Sequence, residues 1–231
     1  VIHYINDRDI KNHNGIIDLP NCSAIVMLMA VYPISLFQPI KRIVVSTYQA
    51  VSSAGAKALA EFEEQTRDIS QGKIATVKVF PYQTAFNLFS HNTTINEEGY
   101  NGEEWKVIHE SKKILHDDAI SITATCVRVP VMRAHSESIN IEFRGSRPTL
   151  DEIRNALTKF PGVKLVDDRE NNYFPMPLDA SGKDDILVGR IRNDISNVNA
   201  IDLFVSGDQL RKGAALDAVQ IAEYIVQNDL L

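Results

Sequence analysis

Of the two cysteines in the sequence, Cys22 stands where a thiol could act as a nucleophile. It follows a Pro-Asn pair in LPNCSAI and precedes the apolar run IVMLMAVYPI, so Asn21 or Ser23 can cap a helix that begins here. The unpaired N–H groups of a helix N-terminus stabilise an anion and would lower the pKa of a cysteine from about 8.5. They could also hold the oxyanion that forms when a thiolate attacks a carbonyl. The alternative is a small side chain packed at the start of a helix.

A thiolate nucleophile needs an acid or base within reach, which is usually a histidine. Among the six histidines, His135 in RAHSES is favoured because it follows a strand that bends after Pro130, where a side chain can point into a cleft. His91 follows a predicted strand and stays undecided. The second cysteine, Cys126 in TATCVRV, is predicted to be a buried, inert strand residue. The other histidines lie in polar or charged segments: His3, His13, His109 and His116.

Charged residues near these candidates could bind an ionic substrate. Arg128 stands among apolar neighbours in TCVRVPV, and a buried arginine must find an anion because it cannot lose its charge. That anion is either an internal carboxylate or a substrate carboxylate held by the guanidinium fork. In HESKKIL, Glu110 and Lys113 lie three residues apart and share one helix face. An ordinary surface ion pair is the default interpretation there.

The composition argues against several classes of protein. The chain has 231 residues, of which 44% are hydrophobic and 23% are charged, as in an ordinary globular protein. A net charge of −6 with scattered Lys and Arg argues against nucleic-acid binding. The longest apolar run, from Ala24 to Ile34, is too short to cross a bilayer, and no signal peptide is recognisable. Only two cysteines in a chain of this length favour a reducing, cytoplasmic setting, and no metal site is predicted.

Helices and strands alternate along the chain. The opening residues resemble a strand, and a helix is predicted to run from Asn21 or Ser23 to about Pro33. Amphipathic helices are predicted in SSAGAKALAEFEEQTRDISQG, GEEWKVIHESKKILHD, TLDEIRNALTKFPG and KGAALDAVQIAEYIVQ. Strands are predicted in KRIVVSTYQAV, ISITATCVRVPV, SESINIEF, VKLVDD, ILVGRIRND and AIDLFVS. This order predicts an α+β fold, with a mixed β-sheet covered by helices on one face.

Several segments together resemble bacterial aspartate-β-semialdehyde dehydrogenase. They are PNCSAI, VVSTYQAVSSAG, HESKKIL, SITATCVRVPVMRAHSESINIEF, VGRIR and GDQLRKGAALDAVQIAE, and they cover nearly the whole chain in the right order. The resemblance implies a glyceraldehyde-3-phosphate dehydrogenase-like C-terminal domain and a homodimer. It also implies that β-aspartyl phosphate is reductively dephosphorylated with NADPH to aspartate semialdehyde. That reaction feeds lysine (through diaminopimelate), threonine and methionine biosynthesis.

The resemblance further implies a role for individual residues. Cys22 resembles the nucleophile that forms a thioacyl intermediate, His135 the acid/base histidine, and Gln49 the glutamine that orients the substrate. The substrate-binding residues would be Arg128 for the carboxylate, Glu110 for the amino group, Lys113 for the phosphate, and Asn21. Contacts with NADP would come from Ser52, Ser53, Ala54, Gly55 and Gln209.

One departure from the family concerns the cofactor. The family begins with a dinucleotide-binding domain whose glycine-rich turn holds the pyrophosphate, and no G-x-x-G-x-x-G occurs in this sequence. We therefore expect residues 1–20 to be the remnant of that domain, 21–208 the catalytic and dimerisation domain, and 209–231 a helix that packs on the absent part. Ile221, Ile225 and their neighbours should then be exposed or repacked. The chain alone is expected to bind NADPH poorly and to show negligible turnover.

Two other functions also fit parts of the pattern. A cysteine hydrolase or amidase would need a helix-capped thiol and a histidine, but it has no use for a clamp that binds a zwitterion and a phosphate. A non-catalytic dimerisation module would leave Cys22 unreactive.

Overall fold

The computed structural model describes residues 1–230. Seven strands of this part of the chain form one sheet. The strands are β1 (Ile40–Gln49), β2 (Phe89–Ser90), β3 (Ser121–Arg128), β4 (His135–Phe143), β5 (Val163–Leu165), β6 (Ile186–Asn193) and β7 (Ala200–Gly207). Their order across the sheet is β2-β3-β1-β4-β7-β6-β5. Strand β1 is parallel to β3 and antiparallel to β4, and β5 is parallel to β6, so the sheet is mixed as predicted.

Six α-helices accompany the strands of residues 1–230. They are α1 (Cys22–Ser35), α2 (Ala56–Ser70), α3 (Gly102–Leu115), α4 (Leu150–Lys159), α5 (Pro177–Ala180) and α6 (Leu216–Gln227). The prediction of a strand at the start of the chain is wrong, because turns and a 3-10 helix (Asp7–Asn12) stand there. No helix within residues 1–230 is long and apolar enough to cross a membrane.

Helix α1 is the core helix of the fold. Most of its residues are apolar and buried on every side, which is typical of a helix inside a protein rather than on its surface. Ile25 and Leu28 belong to one apolar cluster with Val45 of β1, Ile139 of β4 and Val205 of β7. Because α1 is held from all directions, the residue at its N-terminus, Cys22, has a fixed position relative to the sheet.

The opposite face of the sheet is more open. On β1, Tyr48 is 41% exposed, and its ring lies 6.1 Å from that of Phe204 on β7. The neighbouring residues Val44 and Asn140 on this face are partly exposed. The prediction of helices on one face is therefore confirmed, and the second face offers a broad surface.

The C-terminal helix packs on the first residues of the chain. A buried Lys212, in a π-helical turn (Arg211–Ala215), donates hydrogen bonds from Nζ to Asp217 Oδ1 at 2.5 Å and to the carbonyl oxygen of His3 at 3.3 Å. Its ammonium also lies 5.0 Å from the centre of the Tyr4 ring. Residues of α6 differ in burial, with Ile221 buried and Ile225 half-buried, whereas Val219 and Val226 are exposed.

Candidate active site

The thiol of Cys22 lies at the start of α1, as predicted. Asn21 is the N-cap, and its Oδ1 accepts hydrogen bonds from the amides of Ser23 at 2.9 Å and Ala24 at 3.4 Å. The π-helical turn approaches the other side of the thiol, where a Cβ on Gly213 would lie 3.2 Å from the Cβ of Cys22. Cys22 is partly exposed, whereas Cys126 is fully buried, as predicted for that residue.

The expectation of a low pKa for Cys22 is wrong. Burial raises the pKa of this thiol to about 12, and the negative charges of Glu103 and Glu137 add to the effect. The amide of Ser23 and the charge of Arg128 lower the pKa, but by less than the burial raises it. The Asn21 side chain also occupies two of the amides that a thiolate would use. Cys22 is therefore a neutral thiol at pH 7, and it needs a group that accepts its proton before it can attack.

Gln49 connects the start of α1 with the start of α3. It is fully buried at the end of β1, and its Nε2 donates to Ser23 Oγ at 3.2 Å and to Glu103 Oε1 at 2.8 Å. Its neighbour across the sheet is Arg128, at the end of β3. The structure thus brings Cys22, Gln49 and Arg128 to the same end of the sheet, although they are far apart in the sequence.

The guanidinium of Arg128 is buried and has no carboxylate within ion-pair distance among residues 1–230. Its Nη1 donates to the carbonyl oxygen of Ala50 at 2.5 Å and to Ser53 Oγ at 2.6 Å, and Nη2 lies 3.2 Å from His91 Nε2. These partners are all uncharged. The positive charge is therefore fixed in place but not neutralised, which is the condition for binding a ligand anion.

A carboxylate that the sequence analysis did not select, Glu103, also belongs to this cluster. Glu103 binds Gln49, its Oε2 lies 3.9 Å from His91 Nε2, and its charge acts on the pKa of both Cys22 and Arg128. Glu110 instead accepts a hydrogen bond from the Asn21 amide at 2.5 Å. Together with Lys113 it lines a separate cavity of about 150 Å³, whose lining contains none of the residues of the cluster.

The sequence analysis did not select Glu103 because GEEWKVIHESKK contains the spacing E-x-x-K twice. Glu103 and Lys106 form the first pair, and Glu110 and Lys113 form the second. Both pairs share a face of α3, so spacing cannot choose between them. Only the structure shows that Glu103, in the first turn of α3, is bonded to Gln49 at the end of β1.

His135 is fully buried at the start of β4, and its tautomer follows from its contacts. Nδ1 accepts a hydrogen bond from the Ala50 amide at 2.9 Å, so the proton of the neutral ring is on Nε2. Burial and the positive charge of Arg128 lower the pKa of His135 well below 6.5. Within residues 1–230 its Nε2 has no partner. His135 can therefore donate a hydrogen bond to an oxyanion, but in this tautomer it cannot accept the proton of a thiol.

The segment predicted to contact NADP lies beside Arg128. It begins in a 3-10 helix (Val51–Ala54), and Gln209 Nε2 donates to Ser52 Oγ. Gln209 Oε1 in turn accepts from the amide of Ala134, next to His135, at 2.9 Å. NADP binding by this segment stays a prediction. The rest of the segment faces solvent: Ser53, Ala54 and Gly55.

Comparison with known proteins shows to which family the chain belongs. Residues 32–212 match the family model described as "Semialdehyde dehydrogenase, dimerisation domain". An aspartate-semialdehyde dehydrogenase of Synechocystis sp. is 54% identical over 231 residues, which are 100% of this chain and 68% of that protein. The chain belongs to the aspartate-semialdehyde dehydrogenase family. The resemblance inferred from the sequence motifs is thereby confirmed.

Solved structures of the family share the fold. The aspartate semialdehyde dehydrogenase II of Vibrio cholerae superposes with a TM-score of 0.94 at 40% identity, over 99% of this chain and 68% of that one. The same enzyme has been solved as a complex with ASA, again with a TM-score of 0.94, at 39% identity and with the same coverage. The predicted glyceraldehyde-3-phosphate dehydrogenase-like fold is confirmed. The chain spans about two thirds of the length of these aspartate-semialdehyde dehydrogenases.

The charge of Glu103 leads to a prediction about the reactivity of Cys22. Glu103→Gln removes a negative charge that raises the pKa of the thiol but keeps an acceptor for Gln49. Alkylation of Cys22 by iodoacetamide at pH 8 should become faster by roughly threefold to tenfold, because more thiolate is present. Peptide mass spectrometry over a time course measures this rate. Glu110→Gln on the same helix is the matched control and should leave the rate unchanged; equal rates in the two variants would contradict the prediction.

Proposed function

We propose that this chain carries the acyl-transfer site of an NADP-dependent aspartate-semialdehyde dehydrogenase. The observation that carries the proposal is the pairing of a partly exposed thiol, Cys22, with the buried Arg128, which no carboxylate of residues 1–230 neutralises. The substrate would be β-aspartyl phosphate, and the product aspartate semialdehyde. Membership of the family supports this, as does the complex of the Vibrio cholerae enzyme with ASA, which we interpret as aspartate semialdehyde.

The substrate is an amino acid, so the site must bind a carboxylate and an ammonium group. Arg128 would hold the carboxylate, because its charge is available. We assign the ammonium group to Glu110, as the resemblance implies; its carboxylate lies 2.5 Å from the amide of Asn21, the residue before Cys22. For the phosphate we propose Lys113, which stands three residues after Glu110 on α3 and lines the same cavity.

The proposed reaction begins when Cys22 Sγ attacks the acyl carbon. A C–S bond forms and the C–O bond to phosphate breaks, which leaves a thioester and inorganic phosphate. The thiol proton goes to a phosphate oxygen of the substrate, because His135 already carries a proton on Nε2. That N–H instead donates to the oxyanion of the tetrahedral intermediate. Gln49 keeps the thiol and Glu103 in fixed positions through its two hydrogen bonds.

NADPH, when bound, supplies the hydride that reduces the thioester to the aldehyde. The residues at the rim of the site fit one end of such a cofactor. Gly55, at φ +91, has open space where a Cβ would be, and Gly213 carries no side chain against the thiol. No glycine-rich pyrophosphate turn occurs in the sequence, so we propose that residues 1–20 and 209–231 adjoin a separate NADP-binding part, and that 21–208 is the catalytic unit. The chain alone should then bind NADPH weakly and show negligible turnover.

We further propose a homodimer that forms through the open face of the sheet, around Tyr48 and Phe204. The name of the matching family model supports dimerisation. The implied setting is a cytoplasmic enzyme of lysine (diaminopimelate), threonine and methionine biosynthesis. No site for a metal ion formed by three or more His, Cys, Asp or Glu is found in residues 1–230.

The proposal can be tested without NADPH, since the first half of the reaction needs only the chain. Mixing the chain with β-aspartyl phosphate should release one equivalent of inorganic phosphate per chain and leave an aspartyl adduct on Cys22, identified by peptide mass spectrometry. Continuous release over many turnovers would indicate a cysteine hydrolase instead. If neither phosphate release nor an adduct on Cys22 is observed, the chain is a non-catalytic dimerisation module.

A further inference from the structure

Glu137 on β4 is a fully buried acidic residue that the proposed reaction does not use. Within residues 1–230 neither of its carboxyl oxygens has a hydrogen-bond partner. A buried carboxylate without hydrogen bonds or a counterion is among the costliest groups that a protein core can hold, whereas a protonated carboxyl costs far less. The position of Glu137 therefore raises the question of its charge and of what that charge would act on.

Strand pairing places Glu137 directly behind the residues of the active site. Side chains two residues apart on a strand share a face of the sheet, and Glu137 follows His135 by two residues. The residues paired across the sheet at this level are Cys126 on β3, Thr47 on β1, Glu137 on β4 and Val205 on β7. Two residues further from the site, the corresponding row is apolar: Ala124, Val45, Ile139 and Leu203. Glu137 thus lies between the polar site and the apolar core.

Within residues 1–230 no positive charge acts on the carboxyl of Glu137. Its two neighbours across the sheet are uncharged, and His135 on the same strand is held neutral, because burial lowers its pKa well below 6.5. The charge of Glu137 acts on the thiols of Cys22 and Cys126, which are themselves acids. The titratable or charged groups of the elements packed around it are Cys22 on α1, Cys126 and Arg128 on β3, His135 on β4, and Glu103 and Glu104 on α3.

We propose that Glu137 keeps its proton at neutral pH, and that the loss of this proton at higher pH suppresses the reactivity of the Cys22 thiol. In giving this charge a role in the reaction, the inference rests on the proposed function. A protonated carboxyl adds no charge beside the thiol. An ionised one places a further negative charge there, in addition to that of Glu103, and disfavours the thiolate. Glu137 acts through the thiol and needs no contact with the substrate.

The order in which the two acids lose their protons supports this role. Burial raises the pKa of Glu137 well above 4.5. The pKa of Cys22 rises further, to about 12, mainly through burial, and the charge of Glu137 contributes to that rise. The carboxyl therefore ionises before the thiol does. Because the coupling between two titrating groups is reciprocal, the thiolate would in turn hold the proton on Glu137 more tightly.

The pH dependence of Cys22 alkylation by iodoacetamide tests the proposal when Glu137→Gln is compared with the parent. Glutamine has the shape of a protonated carboxyl and cannot ionise. At pH 7 the two proteins should react at the same rate, since the residue is neutral in both. At pH 9.5 the glutamine variant should react roughly threefold to tenfold faster, because only the parent gains a negative charge beside the thiol. Peptide mass spectrometry measures both rates, and Glu137→Met, which also cannot ionise, should give the same result.

Thermal unfolding gives a second readout that does not depend on Cys22. A carboxyl whose pKa is raised by folding loses stability as the pH rises from about 4.3, its unfolded value, to the folded pKa. Glu137→Gln removes this loss, so its Tm should gain on that of the parent by roughly 5 °C or more between pH 5 and pH 7. Glu142→Gln on the same strand is the matched control. A hydrogen bond from Lys41 lowers the pKa of Glu142, so this variant should show no such gain.

Three results would overturn the proposal. A rate gain of Glu137→Gln at pH 7 as large as that at pH 9.5 would show that the carboxyl is already ionised at neutral pH. Equal rates at every pH would show that its charge does not act on the thiol. A Tm difference that stays constant from pH 5 to pH 7 would show that folding does not retain the proton. Neither measurement uses β-aspartyl phosphate, so a failure of the proposed function, seen as absent phosphate release, remains distinguishable from a failure of this role.

Discussion

Cys22→Ser should abolish the release of phosphate from β-aspartyl phosphate. The hydroxyl of serine is a far weaker nucleophile than a thiolate, and His135 cannot take its proton, because Nε2 of this ring already carries one. Loss of the nucleophile of an acyl-transfer site lowers the rate by roughly 10⁴-fold or more. Rapid-quench phosphate measurement over the first turnover, with the mass of the Cys22 peptide as the second readout, gives this rate directly.

Cys126→Ala provides the matched control for the thiol. Cys126 is fully buried on β3, and burial raises its pKa further above the ordinary value of a thiol. One equivalent of phosphate and an adduct on Cys22 should still form in this variant. Persistent phosphate release by the Cys22→Ser protein would instead show that another group, or water, attacks the acyl phosphate.

Arg128→Leu should weaken the binding of aspartate semialdehyde by roughly a hundredfold or more, since the substrate carboxylate loses its charged, hydrogen-bonded partner. Arg128→Lys keeps the charge but not the planar fork, so it should fall between the leucine variant and the parent. Calorimetry in the Cys22→Ser background measures all three affinities.

The same leucine variant should not lose stability. The guanidinium of Arg128 is buried without a carboxylate partner in residues 1–230, and holding a charge in such a place costs free energy. A leucine there removes that cost, although it leaves the Ala50 carbonyl and the Ser53 hydroxyl without their donor. Thermal unfolding should give an unchanged or higher Tm. A lower Tm with unchanged affinity would assign Arg128 to the core rather than to the substrate.

Features that depend on near neighbours in the chain were predictable. Asn21 before Cys22 marks a helix start because a side chain at the N-cap can reach only the amides that follow it. Thr149 and Glu152 form the predicted capping box for the same reason. Alternation along β3 correctly assigned Cys126 to the buried side.

Other properties of the site depend on residues distant in sequence. The carboxylate nearest to Gln49 is Glu103 rather than Glu110, although both stand three residues before a lysine on one helix. The tautomer of His135 is determined by the Ala50 amide, and the orientation of Arg128 by His91. None of these partners can be recognised from spacing, because each is brought into contact by sheet pairing and helix packing.

The sequence by itself therefore determined the family, the order of helices and strands, and the place of Cys22 at the start of α1. Only the tertiary structure decided the charge state of the site. A pKa depends on burial and on the distance to every nearby charge, and burial together with Glu103 and Glu137 makes Cys22 a neutral thiol. The helix start, which is a local feature, has the opposite and weaker effect.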